Sequence, residues 1–455
     1  LSADGGNDLV IEMNISPRAD RIIKKLQSRG YKAYIAGGAV RDMVMAEPVL
    51  DFDIVTNARL DEIQEVFNDE KVTTAGSTFK ICLVNTVEVA ACRSGKTGAP
   101  FPQSDLELRD FTMNSMAWDT ADHCIIDPFS GQRDIAEKIV RFTKDPQMRI
   151  QEDPLRMVRA CRFAAKINGR IASDSLVAIQ NNRHLVAGKV PFERIRMEIL
   201  KAMACERPSL FFRALHSTGL LGYIFPCLER CVGLDGGPHH GETVFEHCML
   251  TGDALSSRRP LLRLAGFLHD VGKYDAAVLK NGSLTFPGHE KARGAIFADL
   301  ETLKFSTGEL AYIHGIITVH MRPLTETSTP RAVRRLLATL EQLGLSWEDF
   351  MRMRIADKKA NRNPVKRPYT LSEIKTRLRL LKNQTGENRG SSAFTIKELA
   401  ITGQEVMAIL DIPPGPRVGE ILAALLEKVL DDPALNTPEQ LKELVPAIRQ
   451  EKSQR

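Results

Sequence analysis

Aromatic residues are scarce in this chain, at 6% of 455 positions, with only 2 Trp and 6 Tyr. A core short of large rings has to be assembled from Leu, Ile, Val, Ala and Met, a palette that suits helices packed on one another. Long apolar runs are missing too. None approaches the roughly 18 residues that span a bilayer, and no signal-peptide pattern opens the chain, so no membrane partner is expected. The 8 cysteines form no C-x-x-C pair, the nearest neighbours being Cys227 and Cys231. Several, including Cys82, Cys161 and Cys205, sit in apolar or helical runs, where a reduced thiol behaves as a small hydrophobe. The expected compartment is the cytoplasm. A strong charge of one sign is also absent: 62 Lys and Arg against 57 Asp and Glu leave +5. That excess is too small over this length to name a nucleic-acid partner. With 43% apolar and 26% charged residues, the composition excludes collagen-like and fully disordered chains.

What is present is unevenly arranged. At about 150 residues per domain the length allows about three domains, or one compact unit plus a long extension. Tyr34–Ala36, Asp51–Val55, Ile81–Ala91 (as one or two) and Cys124–Asp127 read as strands, and Ser16–Arg29 and Leu60–Phe67 as helices. Beyond about residue 151 strands nearly vanish. Asp153-Pro154 is a helix entry with Pro at the first helical position, and helical patterns then run to the end. The expected fold class is α+β, a mixed-sheet head followed by a long all-α body. Breaks fall at Gly233–Gly241, Asn361–Pro368 and Asn383–Ser392. From Arg352 to Lys382 eleven Lys and Arg face only Asp357 and Glu373, which makes either a phosphate track or a solvated helical face.

The head carries the first chemistry. Gly37-Gly38-Ala39-Val40-Arg41-Asp42 follows a short strand and opens a helix. Gly there lets backbone amides approach phosphate oxygens, the helix start favours an anion, and Arg41 in the first turns can clamp a phosphate. A two-glycine turn alone is weak evidence. The next strand strengthens it, because Asp51 and Asp53, two apart, share one face of a strand. Like charges so close are unfavourable unless a divalent cation sits between them, and hard carboxylate oxygens suit Mg²⁺. Ser94-Gly95-Lys96-Thr97 is reminiscent of a phosphate-binding loop, but Ala90 stands where its first Gly belongs, so that reading is rejected.

These motifs resemble the nucleotidyltransferase superfamily that includes DNA polymerase beta, and more narrowly the class II tRNA nucleotidyltransferases and the bacterial poly(A) polymerases. The likeness continues in order. Leu108-Arg109-Asp110-Phe111-Thr112-Met113-Asn114-Ser115 is similar to R-R-D-F-T-x-N-A. Asp127-Pro128-Phe129 with Gly131 and Asp134 is similar to D-P-F/Y-x-G-x-x-D. Glu152-Asp153-Pro154-Leu155-Arg156, continuing through Arg159, Arg162 and Phe163, is similar to E-D-P-x-R-x-x-R-x-x-R-F.

The resemblance implies that Gly37, Gly38, Arg41, Asp42, Arg109, Asp110 and Asn114 hold the nucleotide's ribose and triphosphate, with Arg159 and Arg162 adding positive charge. It implies that Asp153 and Arg156 act as a protein template. Cytosine and adenine both show an amine donor beside a ring-nitrogen acceptor, matched by a carboxylate and a guanidinium. Uracil and guanine reverse that order and leave both protein groups unpaired, at about 1–3 kcal/mol per buried group. The implied activity is template-independent addition of C and A to the tRNA 3′ end (CCA) from CTP and ATP, releasing pyrophosphate. Two departures stand out. Leu108 replaces the first Arg, and Arg93 to Arg109 spans only 16 positions, shorter than the flexible segment that the family uses in switching from C to A. A shortened segment resembles the CC-adding specialists, which leave the last A to a separate A-adding enzyme acting in sequence. Poly(A) polymerase is the further alternative.

Seven of the 10 histidines lie between His239 and His320. His247, then adjacent His269-Asp270, then Asp357 give an order H…HD…D that resembles the HD metal-dependent phosphohydrolases. The resemblance implies one divalent transition metal on those four residues, with His289, His314 and His320 extending the site to a second ion or to phosphate. Phosphohydrolysis would be a second activity. The expected division is then a transferase head over 1–150, a helical neck that selects nucleotide and binds RNA over 151–235, an HD domain over 236–365 and a tRNA-binding tail over 366–455.

Overall fold

Ser16 starts the first described helix, α1 (Pro17–Ser28), its hydroxyl accepting from the Ala19 N–H at 3.2 Å. Such a cap contributes about 1 kcal/mol. Ala19, Ile22, Ile23 and Leu26 recur at helical spacing and are fully buried, at roughly 1.5–3 kcal/mol for each of the larger three. The computed structural model describes residues 15–75, 81–91, 100–365, 367–385 and 392–453. Arg93, the Ser94–Thr97 run and part of the Asn383–Ser392 loop lie outside them. The chain forms two compact units, Leu1–Glu198 with Cys205–Tyr223, and Ile199–Ala204 with Ile224–Arg455.

The first unit is built on a seven-stranded sheet. Its strands are β1 (Ala33–Ala36), β2 (Ile54–Thr56), β3 (Val72–Ala75), β4 (Ile81–Val84), β5 (Val87–Ala91), β6 (Ala117–Asp119) and β7 (Cys124–Ile126). They lie in the order β3-β4-β5-β2-β1-β6-β7, antiparallel except for β2 against β5. Period-two alternation covers both faces. Ala33 and Ile35 join a core with Ile54, Cys82, Val84 and Val89 under α1, α2 (Gly38–Val44) and α3 (Leu60–Val66). Tyr34, Ala36 and Val55 pack the other way, with Leu106 and Phe101. The expected Ile81–Ala91 run is two strands, turned at Asn85-Thr86, both at positive φ.

One expectation needs correction. Asp51 and Asp53 are not inside a strand; β2 begins at Ile54. Asp is a poor strand residue, and two of them at a charged edge leave the ladder early, although the Asp53 carbonyl still accepts from the Ala36 N–H at 2.9 Å. Helices α4 (Leu155–Lys166) and α5 (Phe192–Ala202) follow, with Pro154 just ahead of α4 rather than within it.

The second unit is almost wholly helical. Its centre is α6 (Val244–Asp253), α7 (Pro260–Leu268), α8 (Thr307–Val319) and α9 (Trp347–Ala360). Residues Leu262 through Leu268 of α7 are all buried, as suits a helix enclosed by others. Where α6 crosses α7, a Cβ on Gly252 would come within 2.4 Å of the Phe267 ring, so only Gly permits that approach. Among its described residues, Val278–Lys280 and Ser283–Thr285 pair as a β-hairpin. The tail ends in helices Gly403–Leu410, Pro416–Asp431 and Pro438–Ser453. No described helix is long and apolar enough to cross a membrane.

Part of the basic stretch is structural, which narrows the phosphate-track expectation. Arg354 donates to the His320 carbonyl at 2.7 Å, and buried Arg377 to the Leu324 carbonyl at 3.0 Å. Arg352 pairs with Asp349 and Arg367 with Glu373. Lys359, Lys375, Arg379 and Lys382 remain exposed.

Candidate active site and a second polar cluster

Just past the end of β1, Gly37 has φ +78° and its N–H donates to the Met116 carbonyl at 3.0 Å. A Cβ there would lie 2.3 Å from Arg109 Nη1. The turn thus needs Gly both for its backbone and to admit a guanidinium. Gly38 opens α2. Arg41, on its first turns, is nearly buried; it donates to Asp42 at 2.7 and 2.9 Å and to Asn114 Oδ1 at 2.8 Å. Asn114 in turn donates to Asp110 Oδ1 at 2.9 Å, and Arg159 reaches Asp110 Oδ2 with two nitrogens at 2.6 and 2.8 Å. Burial alone would raise the Asp110 carboxyl, but the Arg159 charge and the Asn114 bond outweigh it and hold it below the ordinary range. Arg109 pairs with buried Asp105 at 3.2 Å. The motifs at 37–42, 109–114 and 159 therefore form one continuous network.

Asp51 is exposed and Asp53 half-buried beside it. Sequence reasoning missed a third carboxylate. β5 runs parallel to β2 with Ile54 opposite Val89, and one step back this brings Glu88 to Asp53. The Glu88 carboxyl is raised, first by desolvation against the sheet and then by Asp53 and Asp51. Nothing in Val87-Glu88-Val89 announces this, because strand pairing is not visible locally. Three converging carboxylates are a hard-oxygen donor set of the kind that suits Mg²⁺.

Asp153 and Arg156 stand one turn apart at the start of α4, each braced by a group other than its neighbour. Arg194 grips Asp153 with two nitrogens at 2.8 and 3.2 Å. Arg156 donates to Glu152 at 2.6 Å, to the Arg149 carbonyl at 3.0 Å and to the Leu108 carbonyl at 3.4 Å. Arg162 joins the network around Asp110 at one remove: it pairs with Glu198, which also lies 3.5 Å from Arg159 Nη1, and it stacks on Phe163 at 4.1 Å. The Asp127–Asp134 element is a brace. Asp127 caps the helix Gly131–Ala136 through the Gly131 and Gln132 N–H groups at 2.7 and 2.9 Å, and Asp134 accepts from Thr112 at 2.7 Å.

In the second unit, helix ends bring the histidines together. His247 on α6, His269-Asp270 just past α7, His320 just past α8 and Asp357 on α9 converge. His289 joins them from a short turn. His247 Nε2 lies 3.0 Å from Asp357 Oδ1, and His289 Nε2 lies 3.0 Å from Asp270 Oδ1. Lys273 Nζ is 2.7 Å from Asp270 Oδ2. His269 Nε2 is buried within 3.4 Å of Asp270 yet makes no hydrogen bond. Burial lowers His247, but its bonds to Asp357 and Glu242 prevail and raise it to about 9. Burial would raise Asp270, yet neighbouring His269 and Lys273 hold it far below the usual range. Three overlapping groups could each place donor atoms within 4.8 Å of one another: His240, His247 and Asp270; His247, His269 and Asp357; and His269, Asp270 and His320. The orphaned imidazole nitrogen and this mixed donor set fit a divalent transition metal. Sequence reasoning missed His240, Glu242 and Lys273. It also placed His314 here, whereas that ring packs on Phe297 at 5.0 Å; on α8 it is six positions from His320 and faces elsewhere. A cavity of about 680 Å³ opens over the cluster, walled by Lys273, Arg354, Leu284, Phe286 and Met321.

Comparison with known proteins matches both units. The family model for the Poly A polymerase head domain covers residues 33–141, so the sheet and its acidic edge are a nucleotidyltransferase head. The model described as "Probable RNA and SrmB- binding site of polymerase A" covers 170–231, and tRNA nucleotidyltransferase domain 2 covers 298–445. The A-adding tRNA nucleotidyltransferase of Deinococcus radiodurans is 31% identical over 345 residues, 72% of this chain and 75% of that protein. Poly(A) polymerase I of Salmonella typhi is 30% identical over 48% of this chain and 51% of its own length. The crystal structure of the Bacillus stearothermophilus CCA-adding enzyme with CTP shares the fold at a TM-score of 0.70 and 24% identity, over 97% of this chain and 100% of that one. The chain belongs to the class II tRNA nucleotidyltransferases. It is an enzyme that transfers nucleotides, built as a mixed-sheet head and a mostly helical body.

Proposed function

We propose that this enzyme adds C and A to the 3′ end of tRNA without a nucleic-acid template, taking CTP and ATP and releasing pyrophosphate. The observation that carries the reading is the Asp153–Arg156 pair, braced by Arg194 and Glu152 one turn apart at the head of α4. A carboxylate and a guanidinium so placed match the amine and ring nitrogen that cytosine and adenine share. The 3′-hydroxyl attacks the α-phosphate, a new P–O bond forms, and the bond to pyrophosphate breaks. A divalent cation, Mg²⁺ by the chemistry of its donors, would assist the attacking oxygen and steady the leaving group when bound on Asp51 and Asp53. Arg109, held by Asp105 against Gly37, would meet the triphosphate, and Asp110 and Asn114 the ribose. On this reading residues 1–150 supply chemistry, 151–235 select the nucleotide and hold RNA, and 366–455 with the exposed lysines steady the tRNA, all in the cytoplasm.

The test is incorporation on a tRNA ending just before CCA, with CTP, ATP or both. Ordered CCA supports the proposal. Two C and no A would favour CC addition, the reading that the 16 positions from Arg93 to Arg109 recommend, with a separate A-adding enzyme to follow. Addition of A alone to an end already bearing CC would match the name of the Deinococcus relative. A long A tail would mean poly(A) polymerase.

A second reading rests on the imidazole–carboxylate cluster: an HD-type site holding a divalent transition metal on His247, His269, Asp270 and Asp357 and hydrolysing phosphoesters. The orphaned His269 Nε2 favours it. Asp270→Ala is expected to abolish metal-dependent release of phosphate from a phosphomonoester, measured colorimetrically, while nucleotide addition is retained. Equal phosphate release from the variant would refute the HD reading.

A further inference from the structure

Glu242 belongs to none of the motifs, yet both of its oxygens are engaged beside the histidine cluster. Its side chain is 4% exposed. Oε1 lies 2.7 Å from His247 Nδ1 and 3.1 Å from His240 Nδ1. Oε2 accepts the backbone N–H groups of Gly241 at 3.0 Å and Arg362 at 2.9 Å. One oxygen thus addresses two imidazoles, while the other ties the Gly/His-rich loop to the segment after α9. With both Nδ1 atoms committed as donors, both Nε2 atoms turn inward. His247 Nε2 faces Asp357 and Asp270 at 3.0 and 3.7 Å. His240 Nε2 meets Lys273 Nζ at 3.1 Å, and because an ammonium can only donate, that imidazole nitrogen is the acceptor.

We infer that Glu242 is a positioning residue that fixes the ring orientation and proton placement of His247 and His240, so that His247 Nε2 is presented as a ligand to a divalent cation while His240 Nε2 holds the Lys273 ammonium beside it. The inference rests on the metal-site reading above. A carboxylate behind a ligating imidazole sets which nitrogen carries the proton and makes the other a better donor; removing such a partner costs about 10–100-fold in metal affinity. Lone pairs on Oε1 can serve both rings at once, whereas a Gln amide must offer N–H groups to neighbours that are themselves donors.

The full-length protein carrying Asp51→Ala/Asp53→Ala, which removes the ion-binding carboxylates of the head, is the parent; it is titrated with Mn²⁺ by electron paramagnetic resonance and loaded with Co²⁺ for visible absorption, and the further substitutions are made in it. Glu242→Gln is expected to weaken Mn²⁺ binding by about 10–100-fold and to shift the Co²⁺ bands. Asn361→Ala is the control. It cuts the same loop-to-loop stitch, the Asn361 Nδ2 bond to the His239 carbonyl at 3.0 Å, without touching an imidazole, and is expected to leave affinity and spectrum unchanged. Parent affinity and spectrum in Glu242→Gln would overturn the inference, as would an equal loss in Asn361→Ala, which marks a mere loop staple. Failure of the parent, with its histidine cluster intact, to take up either ion would sink the metal-site reading itself, and the inference with it.

Discussion

Asp51→Asn or Asp53→Asn is expected to lower nucleotide addition by about 10³-fold or more, near 4 kcal/mol of transition-state stabilisation, with little change in stability. The asymmetry follows from their positions. Asp51 is exposed and Asp53 half-buried, both ahead of β2 rather than inside it, so neither supports the core. Surface changes of that kind usually cost no more than about 0.5 kcal/mol. What they lose is charge: an amide keeps the shape but cannot help offset a divalent ion, and Glu88 alone cannot replace the pair. Single-turnover addition of CTP to a tRNA lacking its CCA end, beside thermal unfolding, separates the two effects. Retained activity in the double variant Asp51→Ala/Asp53→Ala would rule the mechanism out.

The second large effect is on base choice. Asp153→Asn and Arg156→Ala are each expected to erode discrimination against UTP and GTP by roughly 5- to 150-fold, the equivalent of about 1–3 kcal/mol per mismatched group. Asn is chosen at 153 because Asp153 also accepts the Leu155 N–H at 3.2 Å; an amide oxygen keeps that cap while its N–H₂ makes the residue an ambiguous partner for a base. Arg156→Ala removes the donor outright and leaves Glu152 paired with Arg149. The measurement is kcat/KM for all four nucleoside triphosphates on one tRNA. Unchanged ratios would place base selection elsewhere in the chain.

How much of this was legible depends on the reach of each signal. Ser16, the 19-22-23-26 spacing and the end near Gly30 determine α1 from a few neighbouring residues, because caps and helical periodicity act within a turn or two. Gly37-Gly38, Asp51 and Asp53, Asp153 and Arg156, and the quartet His247, His269, Asp270 and Asp357 are likewise ordered motifs, readable because each chemistry needs those residue types at those spacings. Tertiary structure alone decided the rest. The register of β2 on β5 brings Glu88 to Asp53, and the crossing of helices more than 100 positions apart puts Asp357 against His247. It turned Arg162 to Glu198, spent Arg354 and Arg377 on buried carbonyls, and set Glu242 behind two imidazoles while leaving His314 outside. A local pattern states which groups a segment can offer. Which partner satisfies each charge depends on what long-range packing buries beside it, since a buried charge is stable only with a counter-charge or donor in reach.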